Sequence, residues 1–99
     1  MKAYKHLVQY ALDNGHSISV FDGEEWALRH SVNYEAIIDD TESVEMAELV
    51  IANGKGTPQV GWAMVIPFGL EDDETVADHT INPFMNQWAD EYESLTTPN

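Results

Sequence analysis

The sequence predicts an α+β fold, a small and mainly antiparallel three-stranded sheet with three to four helices packed on it. Three observations carry that expectation. Residues 46–68 read as two β-rich runs joined by a Gly/Pro loop. Apolar residues recur at helical spacing in three other segments. With 99 residues, 43% of them hydrophobic, the chain suits one compact domain spanning 1–99.

Residues 3–14 read as a helix, because Tyr4, Leu7, Val8, Ala11 and Leu12 form one apolar stripe. Gly15 stands where a glycine ends a helix in the left-handed conformation. Lys2, Lys5 and His6 lie near the start, where the helix dipole disfavours cations. Residues 17–21 (SISVF) are short and β-rich, with Ile18 and Val20 on one side. Asp22-Gly23 breaks the run, and Asp22 is also a plausible N-cap. A short helix over residues 24–30 is therefore predicted, with Trp26 and Ala27 facing inward and Arg29 four residues from Glu25. Ser31 or Asn33 then caps a further helix over residues 34–43, whose inner face carries Tyr34, Ile37 and Ile38.

The hairpin follows, with strands at about 46–53 and 59–66 and the turn Asn53-Gly54-Lys55-Gly56-Thr57-Pro58 between them. Its second strand is apolar on both faces, through Val60, Trp62, Met64 and Ile66 on one and Ala63 and Val65 on the other. That pattern predicts a central strand buried on both sides. Gly61 within it predicts a bulge or a close backbone approach. Residues 70–80 read as loop or a single helical turn, too polar for core. Asn82-Pro83 starts a last helix over residues 83–94, with Phe84, Trp88, Tyr92 and Leu95 in register, and residues 95–99 form a tail. Trp26, Trp62 and Trp88 all fall inside periodic apolar patterns and are expected in the core.

Charge is the feature that bears on function. Eighteen Asp and Glu stand against four Lys and Arg, a formal net charge of −14. Such a chain repels nucleic-acid phosphates and anionic membranes, so direct binding to either is not expected. Its natural partners are basic proteins or metal cations. Residues 35–48 hold six carboxylates and residues 71–93 hold eight, with no Lys or Arg in either stretch. Asp39 and Asp40 sit near a predicted helix C-terminus, where each costs about 0.3–1 kcal/mol against the dipole. Carboxylates on successive helical turns lie about 5–6 Å apart, a spacing that suits imitation of a row of phosphates. The candidate partner-binding set is Glu35, Asp39, Asp40, Glu42, Glu45, Glu71, Asp72, Asp73, Glu74, Asp90, Glu91 and Glu93.

Other chemistry finds little support. Without cysteine there is no disulfide, Cys-ligated zinc or thiol catalysis. His6, His16, His30 and His79 are scattered, and no pair has helical metal-site spacing. Residues 71–79 carry acidic ligands for a hard cation but lack the calcium-loop spacing and its glycine. Gly54-Lys55-Gly56-Thr57 departs from the phosphate-loop pattern, since Lys55 precedes the second glycine and a strand follows. No serine lies in a nucleophile elbow. No catalytic residue, cofactor or metal site is therefore assigned. The N-terminus has no charged region followed by a long apolar run, and no apolar stretch nears the roughly 18–20 residues that span a bilayer. A soluble cytoplasmic protein is the expectation.

The chain as a whole resembles the small acidic accessory proteins encoded by bacteriophages. It shares their size, lack of cysteine, compact α+β pattern and excess of Asp and Glu. Some of those proteins mimic DNA and block host restriction, recombination or CRISPR machinery. The resemblance implies a non-enzymatic inhibitor of a basic, nucleic-acid-binding host protein. Two other readings stay open: a structural or oligomeric module with a salt-adapted surface, and a small metal-binding regulator using residues 71–79. The oligomeric state is open, a dimer included.

Overall fold

The structure, a computed structural model, describes residues 1–54 and 58–96. Helix α1 (Ala3–Asp13) leads into a hairpin of β1 (His16–Phe21) and β2 (Trp26–Ser31). Helix α2 (Tyr34–Thr41) crosses to a second hairpin, β3 (Ala47–Asn53) and β4 (Gln59–Val65). A 3-10 turn (Asp72–Thr75) precedes β5 (Val76–His79), and α3 (Pro83–Thr96) closes the chain. The five strands form one antiparallel sheet in the order β2-β1-β3-β4-β5. The α+β class and the central hairpin are as expected, whereas among the described residues the sheet has five strands rather than three.

Both additional strands arise where tertiary pairing overrides a local reading. Residues 24–30 were expected to be helical, since Glu, Ala, Leu and Arg all favour helix. Instead Asp22 Oδ1 accepts from the amides of Glu24 and Glu25, each at 2.9 Å, and Asp22 N donates to Glu25 O at 3.0 Å. Gly23 at φ 103° completes a tight turn, and the chain folds back on β1. Asp22 thus performs the predicted capping chemistry, but caps a hairpin turn. The bonds from Glu25 and Glu24 hold its carboxyl below the usual range. A seven-residue helix is marginal alone, and β1 would be left with an edge of unpaired amides. The β1–β2 pairing is irregular: His30 has φ 49°, and its amide donates to Ser19 Oγ at 2.9 Å. Trp26, expected inside, is 41% exposed.

At the other edge, β5 pairs with β4 in a segment expected to be loop or a single helical turn; the turn is the 3-10 turn, and the strand follows it. Four residues are too few to show a period of two, so no pattern announced it. The segment also contributes to the interior. Thr75 is fully buried, and its Oγ1 accepts from Tyr4 N at 3.4 Å. That amide is one of the unpaired donors at the start of α1, where Lys2 offers no side-chain cap.

The remaining boundaries follow local rules. Gly15 ends α1 at φ 80°. Asn33 caps α2, its side chain accepting from Ala36 N at 3.0 Å. Asn82 Oδ1 accepts from Met85 N at 2.9 Å and caps α3, while its Nδ2 donates to Val60 O at 3.0 Å and ties the helix to β4. Helix α3 runs through Leu95 to Thr96, past the expected end. Of the hairpin turn, Lys55, Gly56 and Thr57 lie outside the described residues, as do 97–99. The Gly-Lys-Gly-Thr comparison falls there.

Helices α1 and α2 pack on β1, α2 also on β2, and α3 on β4. Because α1 touches both α2 and α3, it is the middle of a single helical layer. The sheet face beneath it carries Ile18, Val20, Ala47, Leu49, Ile51, Ala63 and Val65, all buried. Tyr4, Leu7, Val8, Ile37, Met85 and Trp88 fill the helical side of that core. Gly61 also faces the helices, and the side chain of Met85 occupies the place a Cβ would take. The backbone approach predicted for Gly61 is real, and the β3–β4 register slips between Ile51 and Ala52 as well. Strand β4 is internal but not buried on both sides: Trp62 and Met64, on the helix-free face, are only half-buried.

Candidate partner-binding site

Ten of the twelve candidate carboxylates are exposed, and Asp40 and Glu42 are half-buried. Those of α2 and its following loop are Glu35, Asp39, Asp40, Glu42 and Glu45. Asp90, Glu91 and Glu93 lie on α3, and Glu71, Asp72, Asp73 and Glu74 on the 3-10 turn and its cap. The turn, α2 and α3 all pack against α1. The fold therefore brings the two acidic stretches of the sequence to one helix.

The meeting point is the first two turns of α1, where the cations are. Lys5 Nζ lies 3.8 Å from Glu42 Oε2, to which the Tyr4 hydroxyl also donates. The terminal ammonium of Met1 lies 3.8 Å from Asp72 Oδ2. His6 Nε2 lies 3.4 Å from Glu91 Oε2. His6 Nδ1 is 3.1 Å from Trp88 Nε1, and an indole N–H can only donate. The His6 proton accordingly sits on Nε2, facing Glu91. Lys2 Nζ donates to Pro67 O at 2.9 Å and rests 5.8 Å from the centre of the Phe68 ring. Lys2 and Lys5, whose charges run against the dipole of α1, thus serve tertiary contacts with carbonyl and acidic oxygens, while the Nε2–H of His6 faces Glu91. The two ion pairs, Met1–Asp72 exposed and Lys5–Glu42 partly so, contribute only about 0.2–1 kcal/mol each. Their effect is to relieve repulsion where acidic segments converge.

Two tyrosines report the local field. Burial, followed by the hydrogen bond and charge of Glu42, pushes the Tyr4 phenol well above its ordinary range. Burial and then the charges of Asp72 and Asp73 push Tyr92 up as well, while its hydroxyl donates to Met1 O at 2.7 Å. Asp72, Asp73, Glu91 and Glu42 are therefore brought together around α1. The other candidates extend the acidic surface outward along α2, α3 and the turn. A cleft of about 250 Å³ beside the cluster is lined by residues including His6, Gln9, Tyr10, Asp13 and Glu91.

The acidic segment at 71–79 shows other uses for its polar groups. Asp78 Oδ1 accepts from His79 N at 2.9 Å, and His79 Nδ1 lies 2.8 Å from Thr80 O, its ring edge-on to Trp88. Among the described residues no group of three or more His, Asp or Glu is placed to hold a metal ion. Nor, among them, is any helix long and apolar enough to cross a membrane.

Sequence reasoning missed the opposite face of the sheet. Phe21, Val50, Trp62 and Met64 lie there by strand alternation and cross-strand register, and all are half-buried. Trp26 packs edge-on to Phe21 with ring centres 5.2 Å apart, and the Arg29 guanidinium lies 5.2 Å over Trp26. Met46 and Ile66, just beyond the ends of β3 and β4, are 52% and 37% exposed. Glu48 sits among them, its Oε1 accepting from Trp62 Nε1 at 2.9 Å. The sequence carries the signal, since β4 is apolar on both faces, but that pattern alone predicts burial on both sides.

Comparison with protein-family models, curated proteins and solved structures finds no match to this chain.

Proposed function

We propose that this chain is a non-enzymatic binding protein that docks its acidic helical side on a basic protein. The partner is a nucleic-acid-binding protein whose phosphate-reading surface accepts carboxylates in place of phosphates. The supporting observation is the convergence of Glu42, Asp72, Asp73 and Glu91, from segments far apart in sequence, around the first turns of α1. Asp39 and Asp40 add charge at the C-terminal half of α2, where the dipole opposes it. Carboxylates placed where they cost local stability support a reading in which a partner uses this surface. Association driven by such a surface is fast and weakens steeply with salt. The reading also agrees with the resemblance to small acidic phage proteins, some of which mimic DNA.

The test is retention of purified DNA-binding proteins on the immobilised chain at low salt, with duplex DNA as competitor. Retention that DNA displaces, and that a charge-reversed variant of α2 and α3 loses, is the expected result. No retention, or retention indifferent to charge reversal, would refute the proposal.

A further inference from the structure

We infer that the helix-free face of the sheet is a second docking surface, shaped for a basic segment of a partner protein. That segment sets a Lys or Arg against Glu48 and large apolar side chains on either side of it. The inference concerns the side of the sheet opposite the acidic helical layer and stands independently of it.

The outward face of an antiparallel sheet with helices on one side is ordinarily polar. Here Phe21, Trp26, Val50, Trp62 and Met64 lie around Glu48, with the buried Ser17 and Ser19 beside them, Asp78 opposite Met64, and Met46 and Ile66 exposed at the margin. A contiguous apolar patch rimmed by polar groups marks an interaction surface, and Trp and Tyr dominate the energetics of such surfaces. Charge identifies the occupant. Glu48 is half-buried in this apolar surround and, among the described residues, has no cationic partner. Its Oε1 is engaged by the Trp62 indole. A carboxylate partly withdrawn from water gains more from an added cation than an exposed one does. The Arg29–Trp26 stack shows how a cation also rests on an aromatic of this face. A second copy fits poorly, because it would set one chain of formal charge −14 against another. Nucleic acid is repelled for the same reason.

The experiment is an NMR titration of the labelled protein with a short synthetic peptide alternating arginine and leucine. A peptide with glutamate in place of arginine is the control. Shifts should appear at Phe21, Glu48, Val50, Met64 and the Trp62 indole N–H, and the glutamate peptide should produce none. Glu48→Gln keeps an oxygen for the indole and should weaken binding roughly three- to tenfold. Met64→Ser, at a half-exposed position, should weaken it independently. Shifts confined to α1, α2 and α3 would overturn this inference and leave the acidic helical reading standing. Equal binding of both peptides, or concentration-dependent shifts of the same residues without peptide, would also overturn it.

Discussion

Replacing Gly61 with alanine tests the packing of α3 on the sheet. An added Cβ would stand 2.6 Å from Met85 Sδ and 2.8 Å from its Cγ. Carbon contacts are ordinarily about 3.5–4.0 Å, so something must move by about 1 Å. Met85 is fully buried, which leaves its flexible side chain little room to retreat. Two terms compete. Alanine in a strand interior gains about 0.5–1 kcal/mol over glycine. Overpacking a filled core costs about 1–3 kcal/mol. The clash wins, and Gly61→Ala should lose roughly 1–2 kcal/mol, a Tm lower by roughly 4–16 °C for a domain this size. Urea and thermal unfolding of Gly61→Ala, Met85→Ala and the double variant close the cycle. Met85→Ala alone should cost about 2–5 kcal/mol. In the double variant the new methyl occupies vacated space, so its loss should fall short of the sum by about 1–3 kcal/mol. A stabilised Gly61→Ala protein, or single effects that simply add, would refute the close approach of Met85.

Other outcomes follow from the same contacts. Tyr4→Phe removes a hydrogen bond to a carboxylate and should cost about 1.5–3 kcal/mol near neutral pH. The raised Tyr4 value means that its contribution is complete below about pH 10, the unfolded value, and declines as pH rises through the folded one. The stability gap between parent and variant should therefore narrow above about pH 10 in denaturant titrations, and a constant gap would contradict the raised value. Asn82→Ala removes both the α3 cap and the tie to Val60, and its urea midpoint should correspond to a loss of about 1–2 kcal/mol. With a formal charge of −14, thermal stability should rise as sodium chloride shortens the screening length from about 30 Å at 0.01 M to about 8 Å at 0.15 M. A flat or falling Tm over that range would show that self-repulsion is already relieved within the fold.

Local chemistry was enough to place much of this chain. The stripe from Tyr4 to Leu12 with Gly15 after it, the Asn33 and Asn82 caps and the β3–β4 hairpin are each written within a few residues. Their hydrogen bonds and side-chain periods are local, so a few neighbouring residues suffice to specify them. Strands β2 and β5 were not legible that way. The former has helix-favouring residues, the latter is four residues long, and each exists because a neighbouring strand offers an edge to pair with. The acidic candidates were visible as types and stretches. That Glu42, Asp72 and Glu91 share the first turns of α1 emerges from the packing of three segments around one helix, which no local pattern encodes. That packing likewise explains Lys5, whose charge opposes the helix dipole but faces Glu42, and His6, which lies between Trp88 and Glu91. The two apolar faces of β4 were also plain in the sequence. Which of them faces the helical layer and which lies open depends on all three helices taking the same side of the sheet, and no period within a strand encodes that choice.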